Sequence, residues 1–166
     1  MAKRAAPVEF EAFLLLIGKL NYTWSNTESL LIHLIAGLSG MDKETATVVF
    51  LTLNTTRARI DLVERLSKLE RTSAGERDMI LALTKRIQKQ SALRNHYSHC
   101  IYAFDGEGAN PRSILMRIAD RKSSLVMGQA QDLDAAAAED LSAGIAELAA
   151  INHDIWEAVR EYGYPS

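Results

Sequence analysis

Apolar residues recur at Phe10, Phe13, Ile17, Leu20, Trp24, Leu31 and Ile35, close to the period of an α-helix. A second set, Leu14, Leu15, Leu16, Leu30, Ile32 and Leu34, spreads over the other faces of the same helix. A helix that is apolar on more than one side has to be covered on more than one side. In a chain of 166 residues, enough for one domain with a real core, the expected cover is a second copy of the chain. Pro7 reads as a first-turn proline opening this helix, and Leu38-Ser39-Gly40 ends it.

Four more helices follow. Asp42 is the expected N-cap of a helix running to about Leu53. Asn54-Thr55-Thr56 caps the next, whose inner stripe is Ile60, Val63, Leu66 and Leu69. Ser73 opens a helix with Glu76 three residues on, the spacing of a capping box, and its stripe of Ile80, Leu83 and Ile87 leads toward Tyr97. The residues 100–104, 113–118 and 124–127 are short β-prone runs separated by the turn-rich stretches 105–111 and 120–123. Asp134 caps a last helix striped by Leu141, Ile145, Leu148, Ile155, Trp156, Val159 and Tyr162. The expected fold is mainly α, one domain over residues 1–166: a bundle of about five helices. A small antiparallel β insertion at about 100–128 sits between the last two.

Composition excludes several classes. With 48% apolar and 24% charged residues, the chain is ordinary globular protein rather than disordered or low-complexity sequence. The uncharged run Ala12–Ile17 is too short to span a bilayer, and no signal-peptidase site follows it, so no membrane partner is expected. Cys100 is the only cysteine, which rules out an intrachain disulfide and points to a reducing, cytoplasmic setting. Net charge is −2, but residues 1–94 carry 14 Lys+Arg against 10 Asp+Glu, and residues 95–166 carry 5 against 11. A polyanion would have to be held by a local patch in the first part; a scatter of solvated charge is the plainer alternative.

One segment carries more chemistry than the rest: Arg94-Asn95-His96-Tyr97-Ser98-His99. At about 100° per residue from Leu83, Ile80, Ile87 and Met79 centre the apolar face near about +20°, and Arg94 falls on the same direction. Gln90, Tyr97 and Ser98 share that face. An inward arginine cannot shed its charge, so it is either paired with a carboxylate such as Glu147 or Asp154, or it lines a wet crevice open to an anion. Asn95 and His99, four residues apart, share a face on which an amide could orient an imidazole. A helix ending near Tyr97 would let His99 turn toward Arg94, as would a two-fold interface.

Arg94-Asn95-x-x-x-His99, late in the penultimate helix of a small helical domain, resembles the signature of the HEPN superfamily, the higher-eukaryote and prokaryote nucleotide-binding domains. The resemblance spans about residues 8–162, and the β-prone insertion departs from the plainest form of that fold. It implies a helical bundle that dimerises so that two motifs face one cleft. It further implies a metal-independent endoribonuclease, often a toxin or defence component, in which Arg94, Asn95 and His99 are catalytic. RNA cleavage by its own 2′-hydroxyl needs a proton exchanger near neutrality, which histidine supplies. It also needs a fixed cation for phosphorane charge, which a forked guanidinium supplies. On this reading no cofactor is required, and the partners are a second copy, RNA or a nucleotide, and an antitoxin or other protein. The alternative within the same resemblance is a non-catalytic dimeric module that binds a nucleotide or a partner protein.

The remaining candidates are weaker. Arg57 and Arg59 follow a helix start, where free N–H groups favour anions, and with Lys85, Arg86 and Lys89 they form a candidate substrate-binding rim. His96 and Tyr97 could contact a substrate, Tyr97 and Tyr102 by stacking on bases. His96 and His99 lack a third ligand for a metal, so no metal is expected. His33 reads as a core histidine with its hydrogen bonds met, and His153 as exposed or paired. Cys100 beside His99 is discounted as a nucleophile, because neighbours in a strand point to opposite faces. Gly106-Glu107-Gly108 is a turn rather than a nucleotide fingerprint.

Overall fold

The computed structural model describes residues 8–166, and the expectation at Pro7 lies outside them. Helix α1 spans Val8–Ser29, α2 Leu31–Ser39, α3 Lys43–Thr52, α4 Thr56–Leu66 and α5 Ala74–Ser98. Strands β1 (Cys100–Ala103), β2 (Arg112–Arg121) and β3 (Ser124–Asp132) come next, and α6 (Ala135–Glu161) closes the order. The chain is mainly helical with a three-stranded antiparallel sheet between α5 and α6, as the sequence patterns require.

One expected element divides in two. The long first helix breaks at Leu30, whose amide bonds the Thr27 carbonyl at 3.1 Å and whose carbonyl accepts from His33 at 3.0 Å. These three-residue bonds tighten the turn and free α2 to bury Leu31, Leu34, Ile35 and Leu38. No proline or glycine marks the break; the burial of Leu30 itself does.

Side-chain caps set the helix starts. Asp42 accepts from the Thr45 amide at 2.8 Å, Thr55 from Ala58 at 3.1 Å and Asp134 from Ala137 at 2.9 Å. Ser73 accepts from the Glu76 amide at 3.2 Å. The Glu76 carboxylate, expected to complete a capping box, takes the hydroxyl of Tyr164 instead.

Contacts cluster into two units. The first, among described residues, is 8–21 with Ala92–Ile145. Here Phe10 meets the rings of Phe104 at 4.9 Å and Tyr102 at 5.9 Å, while Phe13 meets Tyr97 at 5.8 Å. These edge and tilted ring contacts seat β1 and the end of α5 against the start of α1. In the sheet, order β1-β2-β3, a bulge interrupts the β2–β3 register between Leu115 and Ile118.

The second unit is Tyr22–Ser91 with Ala146–Ser166. Its buried side chains include Trp24, Leu31, Ile35, Ile60, Val63, Ile80, Ile87, Leu148, Ile151 and Ile155. Glu28 ties α1 to α4: it accepts from the Trp24 indole at 3.2 Å and the Thr56 hydroxyl at 2.5 Å, and it pairs with Arg59 at 3.1 Å. His33 is buried, with Nδ1 donating to the Pro165 carbonyl at 2.7 Å and its ring 5.0 Å from Trp156. A carbonyl only accepts, so that contact fixes the proton on Nδ1.

Candidate functional site

Helix α5 delivers the Arg94–His99 segment and stops at once, since Ser98 is its last residue and β1 begins at Cys100. The stop is built from local bonds. The His99 amide still donates to the Asn95 carbonyl at 3.2 Å, while the His99 carbonyl already accepts from Met116 of β2 at 3.3 Å. The Cys100 thiol donates to the His96 carbonyl at 2.8 Å, and the Tyr102 hydroxyl to that of Tyr97 at 3.1 Å. Two carbonyls of the last helical turn, which the helix itself leaves without partners, are thus bonded by β1 side chains. Ser98 adds a bond to the Asn21 amide oxygen of α1 at 3.2 Å.

Within this frame Tyr97 is buried and Arg94 and His96 are half-buried; Asn95 and His99 are exposed. Arg94 Nη1 donates to the Asn95 side-chain oxygen at 3.0 Å. Its Nε is buried and has no hydrogen-bond partner. Among the described residues no carboxylate makes a salt bridge with Arg94. The acids considered as its partners are bound elsewhere: Arg86 holds Glu147 at 2.7 Å and Asp154 at 2.6 Å. His96 stands edge-on to Tyr97 at 4.9 Å, and its buried Nε2 likewise has no partner. Two neighbouring basic side chains on one helix end therefore each keep a buried nitrogen free, a costly state unless water or a ligand completes it.

The electrostatics add to this picture. Burial pushes the Tyr97 phenol above its ordinary range, with the charges of Asp140, Cys100 and Asp134 acting the same way. Burial also pushes Tyr102 up to about 12 and raises the Cys100 thiol. These groups are neutral at physiological pH, and the raised thiol argues against Cys100 as a nucleophile.

The basic rim fares differently. Arg59 is spent on structure: it pairs with Glu28, donates through Nε to the Phe50 and Leu53 carbonyls at 3.2 and 3.0 Å, and lies 4.0 Å above the Phe50 ring. Arg86 is held by its two carboxylates, and Arg57 reaches Asp61 at 2.9 Å from an exposed position. Only Lys85 and Lys89 of the expected rim stay exposed on α5 without an ion pair among the described residues. These five residues belong to the second unit and Arg94–His99 to the first. Exposed His153 contacts Asp154 and Glu157. No group of three His, Cys, Asp or Glu side chains suited to a metal occurs among the described residues, and no described helix is long and apolar enough to cross a membrane.

Sequence reasoning did not foresee the bonds that fit this segment to its surroundings. The Ser98–Asn21, Cys100–His96 and Tyr102–Tyr97 bonds join residues whose types carry no motif. Comparison with protein-family models, with curated proteins and with solved structures finds no match for this chain.

Proposed function

We propose that this chain is a HEPN-like, metal-independent endoribonuclease, in the manner of a toxin or defence component, that acts as a homodimer through Arg94, Asn95 and His99. The observation that carries the reading is Arg94: a half-buried cation with no carboxylate partner among the described residues, whose Nε is buried and unbonded. A guanidinium in that state is a receptor for an anion, and a phosphate offers the paired oxygens it fits. Asn95 steadies the fork through Nη1, and Nε keeps its donor for a phosphodiester oxygen. His99, on the first residue past the helix, exchanges the proton of the 2′-hydroxyl or of the leaving oxygen.

The test is cleavage of a mixed RNA substrate by the purified chain in the presence of a chelator. Arg94→Ala is expected to lower the rate by about 10²–10³, and His99→Ala by about 10²–10⁴, with helical content and mass unchanged. If the parent chain cuts no RNA, or if both variants cut at the parent rate, the nuclease reading is lost.

A second reading, a non-catalytic module that binds a nucleotide or a partner protein, is favoured by the exposed His99 and by a pI of about 6.1, which offers little attraction for long RNA. It predicts nucleotide binding that Arg94→Ala abolishes and His99→Ala leaves intact.

A further inference from the structure

We propose that the outer face of the sheet, beside His99, is a nucleobase subsite, and that the substrate class is unpaired RNA. Register and strand alternation assemble it. Cys100 stands opposite Leu115 and Ile101 opposite Ile114. The next rung sets His99 opposite Met116, whose amide donates to the His99 carbonyl at 3.3 Å. Cys100 and Tyr102 face inward, where they bond carbonyls of the last turn of α5. Ile101, Ile114 and Met116 therefore share the outer face, with Ile101 50% and Met116 64% exposed. The bulge brings a cation to this floor. Leu115 and Ile118 oppose Gln129 and Met127, which lie two positions apart on β3 and so on one face. Met116 and Arg117 are thereby left together on the other face, opposite Gly128. The side of Gly128 is fixed independently, since a Cβ there would lie 3.2 Å from Ile114 Cγ2. Without that Cβ the floor stays open between Ile114 and the Met116–Arg117 pair. Arg117 is exposed and makes no ion pair among the described residues.

Charge orients the occupant on this face. The subsite rests on the nuclease reading in one respect, that His99 stands at the phosphodiester. Arg117, on the Met116 side of His99, then holds a phosphate of the same strand. Ile101 and Ile114 lie two residues further along their strands, about 7 Å, where the base of that nucleotide reaches and lies flat on apolar side chains. Beyond them the same face opens into a cavity of about 810 Å³, whose lining includes Ala103, Arg112, Ile114, Ala130 and Asp132. Arg112 and Asp132 pair there at 2.7 Å and offer a donor and an acceptor to the edge of a base. Asp105 and Asp134, also in the lining, keep phosphate away from that end and so at the His99–Arg117 end. A base stacked inside a duplex has both its faces covered, so only an unpaired strand can lay one on this floor.

The experiment is fluorescence anisotropy of the full chain with a labelled 2′-O-methyl RNA strand, which cannot be cut, beside its abasic counterpart and its duplex. The parent should bind the intact strand at least about fivefold more tightly than the abasic strand or the duplex, as one stacked base requires. Ile101→Ser with Met116→Ser, both at exposed positions, should erase that preference by weakening the intact strand alone, at unchanged helicity. Arg117→Gln should weaken intact and abasic strands equally and lower the salt dependence of both. Binding to neither strand, equal binding of intact and abasic strands, or a serine pair that keeps the parent's preference would overturn the subsite. Because nothing is cut in this assay, the two readings fail separately. A chain that prefers the intact strand but cleaves no RNA keeps the subsite and loses the nuclease; one that cleaves RNA without this preference does the reverse.

Discussion

At the scale of single residues, Arg86 and Arg94 of α5 have opposite fates, and the difference is testable. Arg86 is braced by two carboxylates of the chain's last helix, Glu147 and Asp154. These pairs are partly solvated, so replacing Arg86 with Met should cost only about 1 kcal/mol, most of it lost again in high salt. Urea midpoints at low and high ionic strength would measure it; a loss that ignores salt would mean that packing, not charge, is what Arg86 contributes. Arg94, without such a brace among the described residues, should behave in reverse. Arg94→Met is expected to leave the urea midpoint unchanged or raise it, because it removes a buried donor with no partner. The helical stripe made Arg94 readable from sequence as an inward cation, since periodicity fixes direction. It could not tell which arginine would claim Glu147 and Asp154, because three-dimensional pairing between distant helices leaves no trace in local spacing.

Among the elements, α2 is tightly constrained at Gly37. A Cβ placed on Gly37 would lie 2.1 Å from the Tyr164 ring, so the C-terminal tail packs onto α2 with no room for even a methyl group. Gly37→Ala should therefore destabilise the chain by about 1–3 kcal/mol through overpacking, although alanine returns up to about 1 kcal/mol of helix propensity. Thermal unfolding would show a fall of several degrees. Adding Tyr164→Ala should make the glycine substitution harmless, and a double variant that loses the two effects additively would contradict the contact. The caps at Asp42, Thr55, Ser73 and Asp134 were legible because a helix start is local chemistry. The break at Leu30 and the use of Glu76 by Tyr164 were not, because both are settled by what packs against the helix. Likewise, β2 and β3 run longer than their apolar cores at 113–118 and 124–127, since backbone pairing continues through Asp120, Arg121 and Gln129–Asp132, whose side chains face solvent.

For the whole molecule, the shifted groups define a pH range of stability with two edges. Asp42 is held below its ordinary value by the Thr45 amide and hydroxyl, Asp105 by the Ala109 amide and Asn110, and Asp154 by the Arg86 guanidinium. A carboxylate depressed on folding stabilises the fold above its unfolded value near 3.8, and that contribution disappears as pH falls through the lower folded value. The acid edge therefore lies below about pH 4. At the other end, burial raises Tyr97, Tyr102 and Tyr164, the last also through the Glu76 carboxylate beside it. A phenol raised on folding contributes fully below its unfolded value of 10.0, and the contribution is lost as pH climbs through the folded value, about 12 for Tyr102. Urea midpoints should decline from about pH 9, where the Cys100 thiol, also raised by burial, begins to ionise in the unfolded chain, and more steeply from pH 10 as the phenols follow. Tyr102→Phe removes one of the titrating groups while keeping the ring against Phe10, so its alkaline decline should be shallower than the parent's. An identical slope would mean that the hydroxyl held by the Tyr97 carbonyl is as free to ionise in the folded chain as in the unfolded one, and that β1 does not seal the end of α5.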